Sequence, residues 1–368
     1  MKILFLSDNF PPEVNAPATR TYEHCKEWIK LGAKVTVITC FPNFPFGKTY
    51  EGYKNKSYQV EYIDGIKVIR VWSFMAPNKG IILRLIDFIS YSITSFIAGL
   101  FVTTDIIIST SPQFFTALTG RILKKLKRTP WVLEIRDLWP EQLLRVTDIK
   151  RNLLIKYFQW EELKCYKNAD LIVTVTNSYV KKIAQRGIPE NKFLVIKNGV
   201  DTALFNSNIE KDTKLLNNLS LPDKVIMGYI GTHGLSQNLN FIINCINEYN
   251  NQYSSQHVHF LFVGEGAEKY NIIKKANELK INNVTFIDQI KKDDMPHYLS
   301  LIDIGLVPLR KTEYFKNVIP SKIFELAAMN VPILLGLEGE AKEMIEYYNC
   351  GVDYEPENKK SFIDRLNS

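Results

Sequence analysis

The chain alternates short apolar runs of strand length with helix-length segments, and this alternation constrains its fold more than any other feature. Lys2–Leu6 is an apolar run, Ala16–Leu31 is long enough for a helix, and Lys34–Thr39 is a second apolar run. A strand, a helix and a strand in this spacing predict parallel pairing through a right-handed crossover. The sequence therefore predicts an α/β class of fold, with a doubly wound sheet that binds ligands beyond the carboxyl ends of its strands. Further strands of this series are predicted at Tyr58–Ile63, Ile66–Trp72, Asp105–Ser109, Trp131–Ile135, Leu171–Val175 and Phe193–Ile196, the first two as a hairpin.

A second series of the same kind follows a turn sequence and a polar stretch. Asn198–Asp201 has turn chemistry, and Asn206–Asn218 is largely polar. The expected domains are therefore residues 1–200 and 201–368, each with a parallel sheet. Strands of the second series are predicted at Val225–Ile230, His259–Val263, Val284–Ile287, Ile304–Val307 and Ile333–Leu335.

Composition narrows the setting in which the protein works. The five scattered cysteines match no metal spacing and indicate reduced cytosolic thiols, and no signal peptide is expected ahead of the first strand. The formal net charge is +7. Its basic cluster at Lys124, Lys125, Lys127 and Arg128 is explained either by a helix dipole or by a face toward anionic lipid. Nucleic acid is not expected as a partner, because no binding module accompanies the charge.

The apolar segment Ile81–Val102 allows three interpretations. It is nearly long enough to span a membrane, but its hydroxyl groups and the charges of Arg84 and Asp87 argue against spanning. The favoured interpretation is a buried core helix, and a helix lying in a membrane surface is the alternative.

The stretch Asn317–Ala328 has the features of a helix start that binds an anion. Pro320 suits the first turn of a helix, where free amides and the helix dipole favour phosphate. Lys322 adds a positive charge, and Glu325 one turn later is suited to accept hydrogen bonds from sugar hydroxyls. This pattern predicts a sugar-nucleotide site; an amphipathic helix with a solvated lysine and glutamate is the alternative.

Loops at the carboxyl ends of predicted strands supply the other candidates. Gly231-Thr232-His233-Gly234 follows the first strand of the second series and suits close approach to a phosphate. Glu265 ends the next strand and is a candidate ribose ligand. Arg136 and Asp137 emerge together after a strand, where they would bind a phosphate and activate a hydroxyl, or pair with each other. The first loop, Ser7–Arg20, lacks a G-x-G-x-x-G fingerprint, which disfavours a dinucleotide.

Taken together, these residues resemble the family 4 glycosyltransferases of the GT-B fold. The likeness covers nearly the whole chain and is most specific at Pro320-Ser321-Lys322 with Glu325, at Val263–Gly266, at Asn198–Asp201 and at Asn9–Glu13. Two further runs, Arg136–Glu141 and Gly336–Ala341, look closest to O-antigen and capsule transferases, including N-acetylfucosamine transferases.

The resemblance implies two Rossmann-like domains facing a central cleft, with acceptor binding in the first and donor binding in the second. It implies retaining transfer from a nucleotide-diphosphate sugar, most often UDP-linked, without an obligatory metal or other cofactor. Glu325 matches the second glutamate of the family's E-x7-E motif, which holds the ribose. Asn317 stands where the first glutamate is usual, and Arg136 stands where a histidine is usual.

The residues that the resemblance implies for each role follow. The catalytic candidates are Asp137, Arg136 and Asn317, and the acceptor candidates are Glu13, Asn15 and Arg20. The donor candidates are Gly231, Thr232, His233, Gly234, Glu265, Arg310, Lys316, Val318, Ile319, Lys322 and Glu325, with Lys322, Lys316 and Arg310 expected to meet the diphosphate charge.

The expected partners are the nucleotide sugar, a glycan acceptor linked to polyprenyl diphosphate, and the inner face of the cell membrane, on which a cytoplasmic enzyme would lie. The main alternative is a UDP-sugar 2-epimerase, which shares the fold and the donor. A sugar-binding protein without catalysis and a hydride-transferring oxidoreductase are disfavoured, the first by the missing signal peptide and the second by the missing glycine fingerprint.

Overall fold

The computed structural model describes residues 1–44, 46–76, 81–111, 114–139, 153–221, 223–253 and 257–367. It divides the chain into two compact units, Met1–Lys197 and Asn198–Ser368. The division falls three residues before the expected boundary at residue 200, within the turn sequence that suggested it. Glu141 and the rest of the 140–152 stretch lie outside the described residues.

The first unit is an eight-stranded sheet with helices between its strands. The strands are β1 Lys2–Leu6, β2 Lys34–Cys40, β3 Tyr58–Ile63, β4 Ile66–Val71, β5 Ile106–Thr110, β6 Trp131–Ile135, β7 Leu171–Thr174 and β8 Phe193–Val195. The described helices are α1 Ala16–Lys30, α2 Ile81–Leu100, α3 Phe114–Lys127, α4 Leu153–Asn168 and α5 Asn177–Ala184.

The strand order of this sheet places β1 at a topological switch point. The order is β3-β4-β2-β1-β5-β6-β7-β8, and all neighbours are parallel except the β3–β4 hairpin. Leu4 pairs in register with Thr36 of β2 on one side and with Ile107 of β5 on the other. The strands that follow β1 along the chain therefore lie on both sides of it, β2 on one side and β5 on the other. This reversal of the strand order leaves a crevice at the carboxyl ends of β1 and β5.

The second unit repeats the architecture with a six-stranded parallel sheet. The strands are β9 Val225–Ile230, β10 Val258–Val263, β11 Val284–Ile287, β12 Ile304–Pro308, β13 Ile333–Gly336 and β14 Gly351–Asp353. The described helices are α6 Thr213–Asn218, α7 Leu239–Gln252, α8 Lys269–Glu278, α9 Met295–Ser300, α10 Lys322–Ala328, α11 Glu340–Tyr347 and α12 Lys359–Leu366. The order β11-β10-β9-β12-β13-β14 puts β9 at the switch point. The short edge strand β14 was not predicted from the sequence.

Each sheet is covered on both faces, which explains its continuous apolar strands. Side chains of β1 alternate between two cores: Leu4 and Leu6 belong to one, and Ile3 and Phe5 belong to the other. The sheet of the second unit is likewise enclosed by two cores. The carboxyl ends of the central strands are thereby held rigidly, and the loops that follow them are the candidates for a site.

Helix α2 is the element whose environment differs from the favoured expectation. It is the one helix among the described residues that is long and apolar enough to cross a membrane. Only 17% of its most apolar 18-residue stretch is buried inside the protein. Tyr91 and Ala98 pack into a core of the first unit, while the opposite side of the helix faces outward. The prediction of a buried core helix is therefore wrong: α2 is amphipathic in its contacts and leaves an apolar face uncovered.

Candidate functional site

In the second unit, the loops after β9 and β10 approach each other so closely that side chains are excluded between them. The backbone amide of His233 donates to the Glu265 carbonyl at 2.8 Å. A Cβ atom on Gly264 would lie 2.0 Å from the Gly231 carbonyl oxygen, and one on Gly266 would lie 2.4 Å from the His233 carbonyl oxygen. Both glycines also have positive φ angles, 144° and 156°. Glycine is therefore required at both positions, because any side chain would collide with the backbone of the other loop.

Lys322 reaches this pair of loops from the first residue of α10. Its Nζ lies 3.5 Å from the centroid of the Tyr229 ring and would be 3.0 Å from a Cβ on Gly231. The ammonium is buried and has no hydrogen-bond partner among the described residues. Burial lowers the pKa of Lys322 to about 7, against the opposing effect of the Glu325 carboxylate. A buried cation held over an aromatic ring, with no acceptor, is suited to bind an anion.

His233 lies beside Lys322 and also lacks a partner. Its side chain is fully buried, and neither ring nitrogen makes a hydrogen bond within the described part of the chain. Burial, together with the smaller effect of the positive charges of Lys269 and Lys322, lowers the pKa of His233 to about 4. The ring is therefore neutral near pH 7, and it can donate one hydrogen bond to a ligand and accept another.

The other predicted donor residues divide into those near this centre and those occupied elsewhere. Glu325 lies on α10, close enough for its carboxylate to oppose the lowering of the Lys322 pKa. The backbone amide of Arg310 donates to the Ser236 carbonyl at 2.9 Å, beside the β9 loop. The Glu265 carboxylate pairs with Lys269 at 2.5 Å. Ile319 is buried in the core, so only its backbone is available to a ligand.

The segment before α10 is held by local bonds. Lys316 pairs with Glu313 at 2.7 Å and with Glu338 at 3.1 Å, so its charge is already balanced. The Asn317 amide nitrogen donates to the backbone carbonyls of Glu313 and Tyr314. Val318, the next residue, bonds through its own amide to the Phe315 carbonyl.

Helix α10 begins two residues later than the position of Pro320 suggested. Lys322 is its first residue, Ser321 caps it without a side-chain bond, and the amide of Ile323 already donates to the Pro320 carbonyl. Proline is therefore not in the first turn. The positive charge that this segment presents therefore comes from the Lys322 side chain more than from free amides of the helix.

In the first unit, the acceptor candidates Asn15 and Arg20 perform structural roles. The Asn15 side-chain oxygen accepts from the Ala18 amide at 2.9 Å and so caps α1. Arg20 is buried and its Nε donates to Glu134 at 2.9 Å, while its terminal nitrogens donate to the carbonyls of Ile196 and Lys197. These bonds connect α1 to the carboxyl ends of β6 and β8.

Glu134 completes this buried ion pair. Its second oxygen accepts from the Thr110 hydroxyl at 2.6 Å. Burial by itself would raise the pKa of Glu134, but Arg20, Arg136 and His24 outweigh burial and hold that pKa below its ordinary value. The carboxylate is therefore ionised and fully bonded.

Arg136 is a half-buried cation of the first unit, and its guanidinium has bonding capacity left over. Its backbone amide donates to the Ser111 hydroxyl at 2.7 Å, and one terminal guanidinium nitrogen is buried with no partner among the described residues. Burial lowers the pKa of Arg136, against the opposing charges of Glu134, Asp137 and Asp8. The guanidinium and the adjacent Asp137 thus stand together at the strand end, as the sequence predicted.

Three carboxyl groups extend this region, and two of them were not identified from the sequence. Glu13 accepts from the amides of Asn43 and Phe44 at 2.7 and 2.8 Å, and burial raises its pKa to about 7. Asp8, directly after β1, has a pKa raised by burial. Burial and the Asp8 charge raise the pKa of Asp87 to about 7.

Arg84 and Asp87 were counted in the sequence only as charges interrupting an apolar segment. Both interact electrostatically with Asp8, because the first turns of α2 lie near the carboxyl end of β1. Their position at the start of a helix that follows a strand was the available signal.

Comparisons with known proteins agree with this geometry. Residues 17–204 match the model named Glycosyltransferase Family 4, and residues 224–368 match the model named Glycosyl transferases group 1. WcaI of Escherichia coli, which carries the name of a colanic acid biosynthesis glycosyl transferase, is 27% identical over 99% of this chain and 90% of its own length. TuaH of Bacillus subtilis, named for teichuronic acid biosynthesis, is 26% identical over 55% of this chain and 49% of its own length.

Solved structures also match the whole chain, among them the following two. HepE of Anabaena, determined with UDP and glucose, aligns with a TM-score of 0.71 at 17% identity over 100% of this chain and 89% of its own. Sucrose-phosphate synthase of Thermosynechococcus elongatus aligns with a TM-score of 0.74 at 15% identity over 100% of this chain and 89% of its own. The GT-B class expected from the sequence is confirmed at the level of the fold.

Proposed function

The chain belongs to glycosyltransferase family 4, and from this premise we propose that it transfers a sugar from a UDP-linked donor to a lipid-linked glycan during synthesis of a surface polysaccharide. Its relatives WcaI and TuaH are named for such polymers. We further propose that the sugar is an N-acetylated amino sugar, transferred with retention, and that residues 1–200 bind the acceptor and 201–368 the donor.

One observation carries the donor site: the buried, unpartnered nitrogens of Lys322 and His233 beside the glycines of the β9 and β10 loops. A diphosphate would give the ammonium a counter-charge and give the imidazole an acceptor. Because negative charge builds on the diphosphate as the sugar leaves, donors fixed in position would stabilise the transition state more than the ground state. UDP is bound by the structural neighbour HepE, which supports this base.

The remaining donor residues would act around that diphosphate. Glu325 on α10 would bond the ribose hydroxyls, and the open backbone at Gly231–Gly234 would contact the phosphates. The Asn317 amide, fastened to two carbonyls, carries no charge, so stabilisation of an oxocarbenium-like centre would not come from a carboxylate at that position.

In the first unit, Arg136 is proposed to bind the acceptor, and Asp137 is proposed as an alternative base for its hydroxyl. The unpartnered guanidinium nitrogen of Arg136 would bind an oxygen of the acceptor. The acceptor hydroxyl would attack the anomeric carbon on the face from which UDP departs. Its proton would pass to the departing phosphate, with Asp137 as the alternative base.

The exposed apolar face of helix α2 supports the proposal that the enzyme acts at a membrane surface, where a lipid-linked acceptor is found. Its outward face presents Ile82, Ile86, Ile89, Ile93 and Ile97 at spacings of four, three, four and four residues, all of them exposed. These spacings place the side chains on one stripe of the helix. Lys127 donates to the Leu100 carbonyl at 2.9 Å and so places a positive charge at the end of this helix. An apolar stripe of this length next to a basic side chain is typical of a helix that lies in the membrane interface.

The test of the donor proposal is a thermal-shift titration of the protein with UDP, GDP and ADP. A ligand that binds only the folded state, at a hundred times its dissociation constant, stabilises the fold by about 2.7 kcal/mol. Stabilisation by UDP alone is the expected result. Stabilisation by no nucleotide diphosphate would refute the donor site, and preference for GDP or ADP would refute the choice of base.

The 2-epimerase alternative is distinguished by its product. An epimerase would convert a UDP-sugar without any acceptor, which proton NMR of the UDP-sugar detects directly. The expected result is no epimerisation, because the matched relatives are named as transferases.

A further inference from the structure

A groove of about 950 Å³ lies at the amino-terminal edge of the first unit's sheet, away from Asp8 and Arg136. The second half of α2, through Ile97, and Phe101 directly after the helix form one wall. Residues of β2, β3 and β4 form the floor. The apolar and aromatic side chains that line the groove include Tyr58, Tyr62, Ile97 and Phe101, with the buried Ile69 and Val71 beneath them.

The groove exists because α2 covers only part of this sheet face. In the β3–β4 hairpin Tyr58 pairs with Val71 and Tyr62 pairs with Lys67, so alternate residues of the edge strand share the face against which α2 packs. Tyr58 and Tyr62 are nevertheless exposed. Two tyrosines beside an apolar trough are the side chains that membrane-water interfaces favour.

The apolar stripe of α2 runs directly into this groove. Ile97 belongs to both, and Phe101, one turn further along, is 84% exposed. Exposed apolar surface that continues from a helix face into a trough exceeds the scattered single residues of an ordinary protein surface. The two features therefore form one interaction surface.

The charged residues that line the groove are of one sign, and Asp105, just outside the lining, accepts a hydrogen bond from the Lys2 backbone amide at 2.7 Å. Lys2, Lys34 and Lys67 line it, and no aspartate or glutamate does. The register places Lys2 opposite Lys34 and Lys67 opposite Thr36, so the three lysines lie on neighbouring strands. Within the described ranges none of them forms an ion pair. An apolar trough with an unpaired basic rim is complementary to an amphiphile with an anionic head.

We propose that this groove receives one hydrocarbon chain of an anionic membrane lipid, whose headgroup lies on Lys2, Lys34 and Lys67. The inference deepens the membrane association proposed above and rests on it. Burial of the methylene groups of the lipid against Ile97 and Phe101 would supply the hydrophobic part of the binding free energy, and attraction between the lysines and the headgroup would supply the electrostatic part. The lipid would hold the first unit on the membrane at a place distinct from the proposed acceptor site.

A second copy of the chain fits this surface less well. A twofold contact would set the same patch against itself and bring its three lysines toward their equivalents. Like charges facing each other disfavour such a contact. Dimerisation is thus an outcome of the test and not the occupant proposed.

The decisive experiment is photo-crosslinking of the full chain to vesicles of phosphatidylcholine and phosphatidylglycerol, with a diazirine in the acyl chain of the phosphatidylglycerol. The expected result is crosslinks at Tyr58, Tyr62, Ile97 and Phe101. Crosslinks confined to the earlier part of the stripe, at 82–93, would mean that the helix lies on the membrane without a chain in the groove. That outcome, an absence of crosslinks, or loss of vesicle binding through dimerisation would overturn the proposal.

Two variants test the groove itself. Thr36→Trp would fill it, and crosslinking at Phe101 is expected to fall at least about tenfold, whereas the control Thr36→Val leaves the space open. The double variant Lys34→Gln/Lys67→Gln is expected to weaken binding to the anionic vesicles about thirtyfold, because each substitution removes the electrostatic attraction of one lysine to the anionic surface. Its matched control, Lys274→Gln/Lys360→Gln, removes the same charge from the second unit and should change binding little.

UDP binding separates the two levels of inference. All four variants should retain the wild-type response to UDP and the wild-type circular dichroism spectrum, because none touches the donor site. Loss of UDP stabilisation in the wild type would refute the donor proposal without bearing on the groove. Normal UDP binding together with absent groove crosslinks would refute the groove alone.

Discussion

Arg20 and Lys322 are both buried cations, but their surroundings are opposite. Arg20 bonds to the Glu134 carboxylate and to two backbone carbonyls, whereas the Lys322 ammonium lies over a tyrosine ring with no acceptor. A buried charge that is fully bonded holds elements of the scaffold together. A buried charge without a partner is a standing cost to the folded state, which a ligand of opposite charge can remove. The comparison therefore separates structural from binding residues by their bonding and not by their charge or burial.

The largest effect on stability is expected from disrupting the buried ion pair between Arg20 and Glu134. Arg20→Met would remove the one cation that hydrogen-bonds to the buried Glu134 carboxylate among the described residues, leaving it the Thr110 hydroxyl and the more distant charges of Arg136 and His24. The free energy of unfolding should therefore fall by up to about 3–5 kcal/mol in urea denaturation. The double variant Arg20→Met/Glu134→Met removes both charges and should recover much of that loss. A loss below about 1 kcal/mol in the single variant would show that the pair is not structural.

Breaking the unpaired side should affect binding instead. Lys322→Met keeps the length and apolar stem of the side chain and removes the ammonium. UDP affinity measured by calorimetry should fall about a hundredfold, because the variant removes one partner of a buried charge pair between the ammonium and the diphosphate. The melting temperature of the free protein should stay unchanged or rise. A lower melting temperature with unchanged UDP affinity would contradict the assignment.

The pH dependence of stability sharpens the same contrast. The pKa of Lys322 is lowered to about 7 in the folded chain from an ordinary 10.5. Between these values the unfolded chain binds more protons at this position, so the unfolding free energy should rise as the pH increases above about 7. The rise due to this lysine should be on the order of 2 kcal/mol by about pH 8.5. Lys322→Met should lose this increment, and an identical pH profile in both proteins would argue against a buried ammonium.

The smallest effect is expected at Lys316, a lysine with balanced charge. Its ammonium already pairs with Glu313 and Glu338, and its pKa is raised by those carboxylates. Lys316→Met should therefore weaken UDP binding by less than about tenfold. An effect as large as that of Lys322→Met would mean that ligand binding releases Lys316 from its partners.

Much of the fold followed from the sequence because its signals are local. Strand-length apolar runs at 2–6, 131–135 and 225–230 are strands in the structure, and the alternation with helices predicted parallel sheets. Strand β14 was missed because three residues at a sheet edge carry no periodicity. Helix α2 was assigned to the core because hydropathy records only that a face is apolar, not whether another element covers it.

The candidate site was predictable in part for the same reason. Lys322 and Glu325 share one helical turn, so their proximity is visible in the chain. The contact of Lys322 with Tyr229 and the burial of His233 join residues about ninety positions apart, and Arg20 meets Glu134 across 114 positions. Arg20 and Asn15 were predicted to bind an acceptor, although the bonds they make are those of the scaffold.

The sequence by itself determined two parallel-sheet units, the family resemblance and the loops in which ligand chemistry would be found. These depend on periodicity, turn residues and motifs, all of which act over a few residues. Only the tertiary structure decided which cations are satisfied, which apolar face stays open and where a groove remains beside α2. Bonding and burial are set by neighbours brought together by strand order, so residues with the same composition and local pattern can be structural in one unit and available to a ligand in the other.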